Sequence, residues 1–267
     1  MKNKFAYSKA DLDTFDQIMN EYGWIVYEDA LDVDFVDEIN NSLDAAYEIR
    51  RQIQIKNGIG ENMKGTLHHL VERELFTFKF LERKYCADQI RHFLNGNYIL
   101  NSLGAVINTK DGSPYVQNIH RDIRSYTGDY KVMIQLMIIL DDFTLDNGAT
   151  FLLSGSHKQE NKPDDEYFFK NAERAIAKKG SIVVFDANVW HATGKNNTDK
   201  PRRALTMAFT RPFFKQQLDY PRAIGYEFGK GLNENLRQVL GYNSRTPENL
   251  DEYYQPVEKR MYQPGQG

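Results

Sequence analysis

The chain has one cysteine in 267 residues. Cys86 therefore has no partner for an intramolecular disulfide. It is expected as a small buried residue on a helix, in a protein of a reducing compartment such as the cytoplasm. Long hydrophobic runs are also missing. The longest, 132–140, is interrupted by Gln135 and is too short to span a bilayer. No apolar stretch follows residues 1–5, so the start does not read as a secretion signal. Neither sign of charge dominates: 34 basic side chains face 37 acidic ones, for a net charge of −3. That balance gives no reason to expect a nucleic-acid or membrane partner. A small-molecule substrate, and a monomer or small homo-oligomer, are expected instead. What remains is ordinary for a globular chain, with 41% hydrophobic and 27% charged residues, enough for one sizeable core.

The front third reads as helical. Ser8, with Asp11 three residues on, resembles an N-cap, and Leu12, Phe15, Ile18, Met19 and Tyr22 follow at helical spacing until Gly23. Residues 24–27 form a short apolar strand. Asp32 is placed to cap a second helix whose Phe35, Ile39, Leu43 and Tyr47 repeat on one face up to Gly58 and Gly60. Residues 58–71 form a glycine-containing connection, a surface loop or a flap over a site. A third helix is expected over 72–94. From Tyr98 the pattern changes to short strands near 98–109, 115–120, 131–141, 149–153, 172–177, 181–186 and 202–210, with turn chemistry at Asn147-Gly148 and Lys179-Gly180. A short helix over 232–240 and an extended, partly disordered tail over 241–267 complete the chain. Many strands after a helical front predict two packed sheets. The whole chain is expected as one domain: a helical buttress over 1–97, a mainly β jelly-roll core over 98–211, and a helix and tail over 212–267.

The chemistry centres on His120-Arg121-Asp122 and on His191. In an extended segment, residues i and i+2 point to the same side, so His120 and Asp122 share a face. A histidine from a neighbouring strand would complete two imidazoles and one carboxylate on one side of a metal. That ligand set leaves positions free for a cosubstrate and O2. With six histidines and 21 aspartates, a lone His-x-Asp is weak evidence. Its context is stronger. The buried strand 181–186 leads to Trp190-His191, and a further strand opens with Arg202 and Arg203 eleven residues later. These two arginines face opposite ways. Arg202 shares its side with small Ala204, Thr206 and Ala208, and Arg203 shares its side with bulky Leu205, Met207 and Phe209. A cavity wall needs small neighbours beside a buried cation, which puts Arg202 and not Arg203 on the cavity side.

These pieces resemble, in order and spacing, the phytanoyl-CoA dioxygenase family of Fe(II)/2-oxoglutarate oxygenases. The resemblance runs through His120-Arg121-Asp122, Asp146-Asn147-Gly148-Ala149-Thr150, Ser154-Gly155-Ser156-His157, Gly180-Ser181, Trp190-His191-Ala192-Thr193-Gly194 and Arg202-Arg203-Ala204, over about residues 20–245. It implies a double-stranded β-helix, a cupin-like jelly roll with flanking helices. It also implies Fe(II) held by His120, Asp122 and His191, 2-oxoglutarate anchored by Arg202 and contacted by Thr193, and O2 as oxidant. The implied reaction is hydroxylation of an unactivated C–H with release of succinate and CO2. Halogenating relatives carry a small residue at the position of Asp122, so the aspartate implies oxygenation. His157 matches a family turn and is expected to be structural, Trp190 to pack, and His92 to be an ordinary helix residue. Gln117 is placed to line the pocket, and Gln135 must find a hydrogen-bond partner. Arg121 and Arg124 flank the site and are either solvated or available to an anionic substrate. Two other readings stay open: a cupin-like metalloenzyme that does not use 2-oxoglutarate, and a catalytically silent jelly-roll binding protein.

Overall fold

A computed structural model describes residues 5–112 and 115–267. Residues 1–4 of the start, read above as carrying no secretion signal, lie outside them. The strands are β1 (Ala6–Tyr7), β2 (Trp24–Tyr27), β3 (Thr66–His68), β4 (Ile99–Asn108), β5 (Met133–Ile139), β6 (Phe151–Leu152), β7 (Glu173–Arg174), β8 (Ile182–Asp186), β9 (His191–Ala192) and β10 (Arg202–Thr210). Seven make one sheet in the order β1-β2-β8-β5-β10-β4-β3, and β7-β6-β9 make a smaller one. Among the described residues only the β1–β2 pairing is parallel. The two sheets with flanking helices form the expected double-stranded β-helix.

The period-two alternation of β10 fixes the layers. Leu205, Met207 and Phe209 point to the helix side, where they join Phe15 and Met19 of helix α1 (Leu12–Glu21) and Phe35, Ile39 and Leu43 of α2 (Val33–Lys56). Each such side chain stabilises the fold by about 1.5–3 kcal/mol when fully buried. Ala204 points the other way, into a cluster between the sheets with Met137, Ile139, Phe185, Phe143 and Leu152. The helices thus cover the large sheet's outer face and leave its inner face to a cavity.

Several expected elements differ in detail. Asp11, not Ser8, caps α1: its Oδ1 accepts from Thr14 N at 2.7 Å. Asp32 precedes α2 but makes no capping bond, because its carboxylate takes Arg83 Nη1 at 2.9 Å instead. The third helix is two, α3 (Thr77–Glu82) and α4 (Ala87–Leu94). Left-handed backbone at Lys84 and Cys86 (φ 54° and 55°) breaks it. The break lets Phe80 and Leu81 before it, and Ile90, Phe93 and Leu94 after it, bury in the same cluster. Cys86 therefore sits at the break and not in a helix body; it is half-buried and not fully buried as expected, and desolvation of its thiol pushes it up to about 12. Residues 115–120 are not a strand. They form a tight turn over Tyr115–Gln117 and a single bridge from His120 to His191. The strands expected at 149–153 and 172–177 contract to two residues each. Helix α5 (Asp165–Asn171) was hidden between them, capped by Asp164 Oδ1 accepting from Tyr167 N at 2.8 Å. Part of the 58–71 connection is the edge strand β3. After the turns α6 (Tyr220–Ile224) and α7 (Tyr226–Lys230), α8 (Glu234–Val239) is the expected short helix. The tail beyond it carries α9 (Leu250–Tyr253) and packs back, with Gln266 and Gln238 exchanging two amide bonds of 2.8 Å. Among the described residues no helix is long and apolar enough to cross a membrane.

Candidate active site

Three short segments meet where β8 ends. His120 N donates to His191 O at 3.0 Å and His191 N returns the bond to His120 O at 2.8 Å, so the two backbones face each other as a bridged pair. Their rings lie with centroids 4.2 Å apart. The turn after β8 supplies the third contact, since Ala187 O accepts from Asp122 N at 3.1 Å. That turn is itself tied. Asp186 Oδ1 accepts from Asn188 N at 2.9 Å and from Asn188 Nδ2 at 3.1 Å, and Asp186 Oδ2 holds Lys131 Nζ at 2.9 Å.

The polar atoms that result are arranged for coordination and not for pairing with one another. Asp122 Oδ1 lies 3.7 Å from His120 Nε2, and Oδ2 lies 3.7 Å from His191 Nε2, both too long for hydrogen bonds. One potential ligand atom from each of the three residues lies within 4.8 Å of the other two. Each Nδ1 faces a backbone carbonyl: His120 to Asn118 O at 2.7 Å and His191 to Val189 O at 2.9 Å. A carbonyl only accepts, so Nδ1 carries the proton and Nε2 presents its lone pair to the site. This is the outer support that metal-binding histidines require. Burial, reinforced by His120, pushes the His191 pKa down to about 4, so this imidazole is neutral at neutral pH.

The triad opens into a cavity of about 360 Å³. At its closed end lies Arg202, 1% exposed. Its Nη2 donates to Gly148 O at 3.0 Å, its guanidinium carbon sits 4.2 Å above the Phe143 ring, and its Nε has no partner. Burial pushes its pKa down to about 9, which leaves it charged at neutral pH. Gly148 makes this contact possible. Its φ is +80°, and a Cβ there would stand 2.1 Å from Gly194 O, so the two loops could not approach with any other residue. Arg203 is spent elsewhere: its backbone N and Nε donate to Asp141 Oδ2 at 2.8 and 2.9 Å, and Nη2 reaches Oδ1 at 3.3 Å. Thr193 lines the cavity with Thr206 and Ser102, its own N held by Val116 O at 2.9 Å.

The structure therefore brings His120, Asp122, His191, Thr193 and Arg202 into one cavity. Gln117 is not in its wall; its Nε2 turns back to Gly112 O at 3.3 Å. Gln135 is in the wall, and its nearest partner is the Met133 sulfur at 3.8 Å. His157 is buried beneath Gly23, apart from the triad. His92 pairs with Asp16 on the surface at 2.8 Å. Trp190 packs with Leu153 and Phe168. His68, which falls in the 58–71 connection read as a surface loop or a flap, and Tyr115, which sequence reasoning did not single out, also line the cavity, with His68 Nε2 and Tyr115 Oη 3.4 Å apart. Gly104 lets β3 join the sheet there, since a Cβ would stand 2.6 Å from Leu67 O.

Comparison with known proteins decides the family. The family model described as Phytanoyl-CoA dioxygenase (PhyH) matches residues 19–204. The chain belongs to the phytanoyl-CoA dioxygenase family. As a member it is an Fe(II)- and 2-oxoglutarate-dependent dioxygenase that consumes O2 and acts on a small molecule. The protein Rv1501 of Mycobacterium tuberculosis is 34% identical over 97% of both chains. Dioxygenase olcK of Penicillium canescens is 28% identical over 80% of this chain and 76% of its own. Among solved structures, HygX of Streptomyces hygroscopicus, with nickel and 2-oxoglutarate bound, superposes with a TM-score of 0.56 at 14% identity, over 75% of this chain and 86% of that one. AviO1 of Streptomyces viridochromogenes gives 0.56 at 19% identity, over 78% and 98%. These two likenesses concern the fold.

Proposed function

We propose that this phytanoyl-CoA dioxygenase family member hydroxylates an unactivated C–H of a small metabolite or biosynthetic intermediate, converting 2-oxoglutarate and O2 to succinate and CO2. The observation that carries this reading is the pairing, in one cavity, of an intact two-histidine, one-aspartate face with a buried arginine whose Nε lacks a partner. Together Fe(II), 2-oxoglutarate and O2 supply the oxidising power when bound.

The chain's own residues do the rest. His120 and His191 offer neutral nitrogens and Asp122 an anion, which suits a borderline divalent cation and leaves one side of it open. Arg202 takes the distal carboxylate of 2-oxoglutarate, because its unpartnered Nε and the low-dielectric wall around it are matched by a charge-assisted acceptor. Thr193 adds a hydroxyl on the same wall. With Arg202 buried on one side of the cavity and the triad on the other, a cosubstrate anchored at Arg202 would have its keto acid end directed to the triad. Asp122 would serve as the third metal ligand, which favours oxygenation over halogenation. The test is a metabolite screen for substrate-stimulated succinate release with a hydroxylated product of mass plus one oxygen. Succinate release that no compound stimulates, or a halogenated product, would contradict the reading.

A further inference from the structure

The cavity wall carries more positive charge than the cofactors can use. Its lining holds three arginines, Arg121, Arg124 and Arg202, against one carboxylate, Asp122. On the functional reading above, on which this inference rests, Fe(II) offsets the two carboxylates of 2-oxoglutarate and Asp122 offsets Arg202. Arg121 and Arg124 are left over, both on the segment that carries Asp122.

Their surroundings support a reserved role. Elsewhere in the chain Arg50, Arg83 and Arg203 each meet a carboxylate. The exposed Arg124 makes no hydrogen bond or ion pair among the described residues. Arg121 has one long bond, Nη1 to Gln159 O at 3.5 Å. It is held instead by aromatic faces, 4.8 Å over Trp190 and 5.4 Å over Tyr126. Stacking of that kind fixes a guanidinium's position while leaving its N–H edge free. The cavity itself is at the small end for a ligand site. Once it also holds a five-carbon diacid, the remainder of a substrate must reach the exposed rim of the cavity, where Arg124 stands with Tyr115 and Gln217 and with Arg121 next to it.

We infer that the substrate is an organic anion whose carboxylate or phosphoryl group is held at the cavity mouth by Arg121 and Arg124, with its reacting carbon inside. The two arginines would be specificity-determining residues, distinct from the cosubstrate anchor.

The experiment uses full-length protein loaded anaerobically with Fe(II) and 2-oxoglutarate, with loading followed by its visible charge-transfer band. Hexyl phosphate, hexanoate and neutral hexanamide are titrated by calorimetry. At least one anion should bind roughly tenfold or more tighter than the amide, as expected for a charge-assisted contact. Its affinity should fall with added salt, because the mouth is open to solvent. Which of the two anions binds better separates a phosphoryl from a carboxylate head group. Arg124→Gln should remove the preference over the amide while the charge-transfer band still forms at the wild-type 2-oxoglutarate concentration. Arg121→Lys, which keeps charge but loses the planar stacking, should weaken the anion less than Arg121→Gln. Equal affinity for anions and amide in protein that shows the band, or an anion preference untouched by Arg124→Gln and Arg121→Gln, would overturn the inference. Absence of the band in wild-type protein would instead strike the cofactor assignment on which it rests.

Discussion

The closed end of the cavity and its mouth are built from different material. The closed end stands on β10, where Arg202 pairs with Asn108 of β4 and donates to the carbonyl of Gly148, a glycine in left-handed backbone. The mouth stands on the irregular segment from His120 to Lys131, where Arg124 is exposed and Arg121 rests on aromatic faces. The contrast separates two tasks. On the proposed reading, a cosubstrate common to a whole family would be held from regular strands, whose pairing sets each side chain's direction, and a substrate particular to one member would be met by a loop, which can change without disturbing the sheet.

The contrast can be broken most severely at the metal face. Asp122→Ala should abolish hydroxylation while leaving the fold intact, since Asp122 is only half-buried and its bond to Ala187 O is made by the backbone N, which alanine keeps. Retained wild-type turnover, measured as succinate and product together, would show that Asp122 is not a ligand. At the closed end, Arg202→Ala should raise the apparent KM for 2-oxoglutarate by about 30-fold or more, from the loss of about 2–5 kcal/mol for an unpaired buried charge. Arg203→Ala should have a much smaller effect, because Asp141 already occupies that guanidinium on the opposite strand face. Steady-state titration of 2-oxoglutarate with both variants compares them, and the reverse order would invert the facing of β10. A smaller effect, on stability before activity, is expected from Gly148→Ala. The new Cβ meets the Gly194 carbonyl at 2.1 Å in left-handed backbone, a conformation that costs a non-glycine residue about 1–3 kcal/mol. Thermal unfolding should show a lowered midpoint, whereas an unchanged midpoint would mean that the two loops can part without loss.

Those expectations follow from how the sequence could be read. Strand alternation placed Arg202 on the cavity side and Arg203 on the other, because side-chain parity is local and needs no knowledge of the partner strands. The same rule, applied to 115–120, named a strand that the protein does not form. His120 and Asp122 reach the site through a single bridge to His191 and a bond to Ala187 O, contacts between segments roughly seventy residues apart in the chain. The right residues met for a reason that local periodicity cannot express. The break between α3 and α4 was equally hidden, since two residues in left-handed backbone leave the apolar spacing on either side intact. The flap alternative for 58–71 covered His68 without singling it out, and Tyr115 was not foreseen, because their placement depends on an edge strand of three residues and a tight turn. The family resemblance brought in the identity of the metal and cosubstrate, which residue types alone narrow only to a borderline divalent cation and a carboxylate.

The central claim is that one cavity holds Fe(II) on His120, Asp122 and His191 while Arg202 holds 2-oxoglutarate. Anaerobic titration of 2-oxoglutarate into the Fe(II)-loaded protein, followed in the visible, tests it most directly. A weak metal-to-ligand charge-transfer band should grow to saturation in the wild type, fail to form in His191→Ala, and require far more 2-oxoglutarate in Arg202→Ala. Folded wild-type protein that shows no band with both components present would contradict the account.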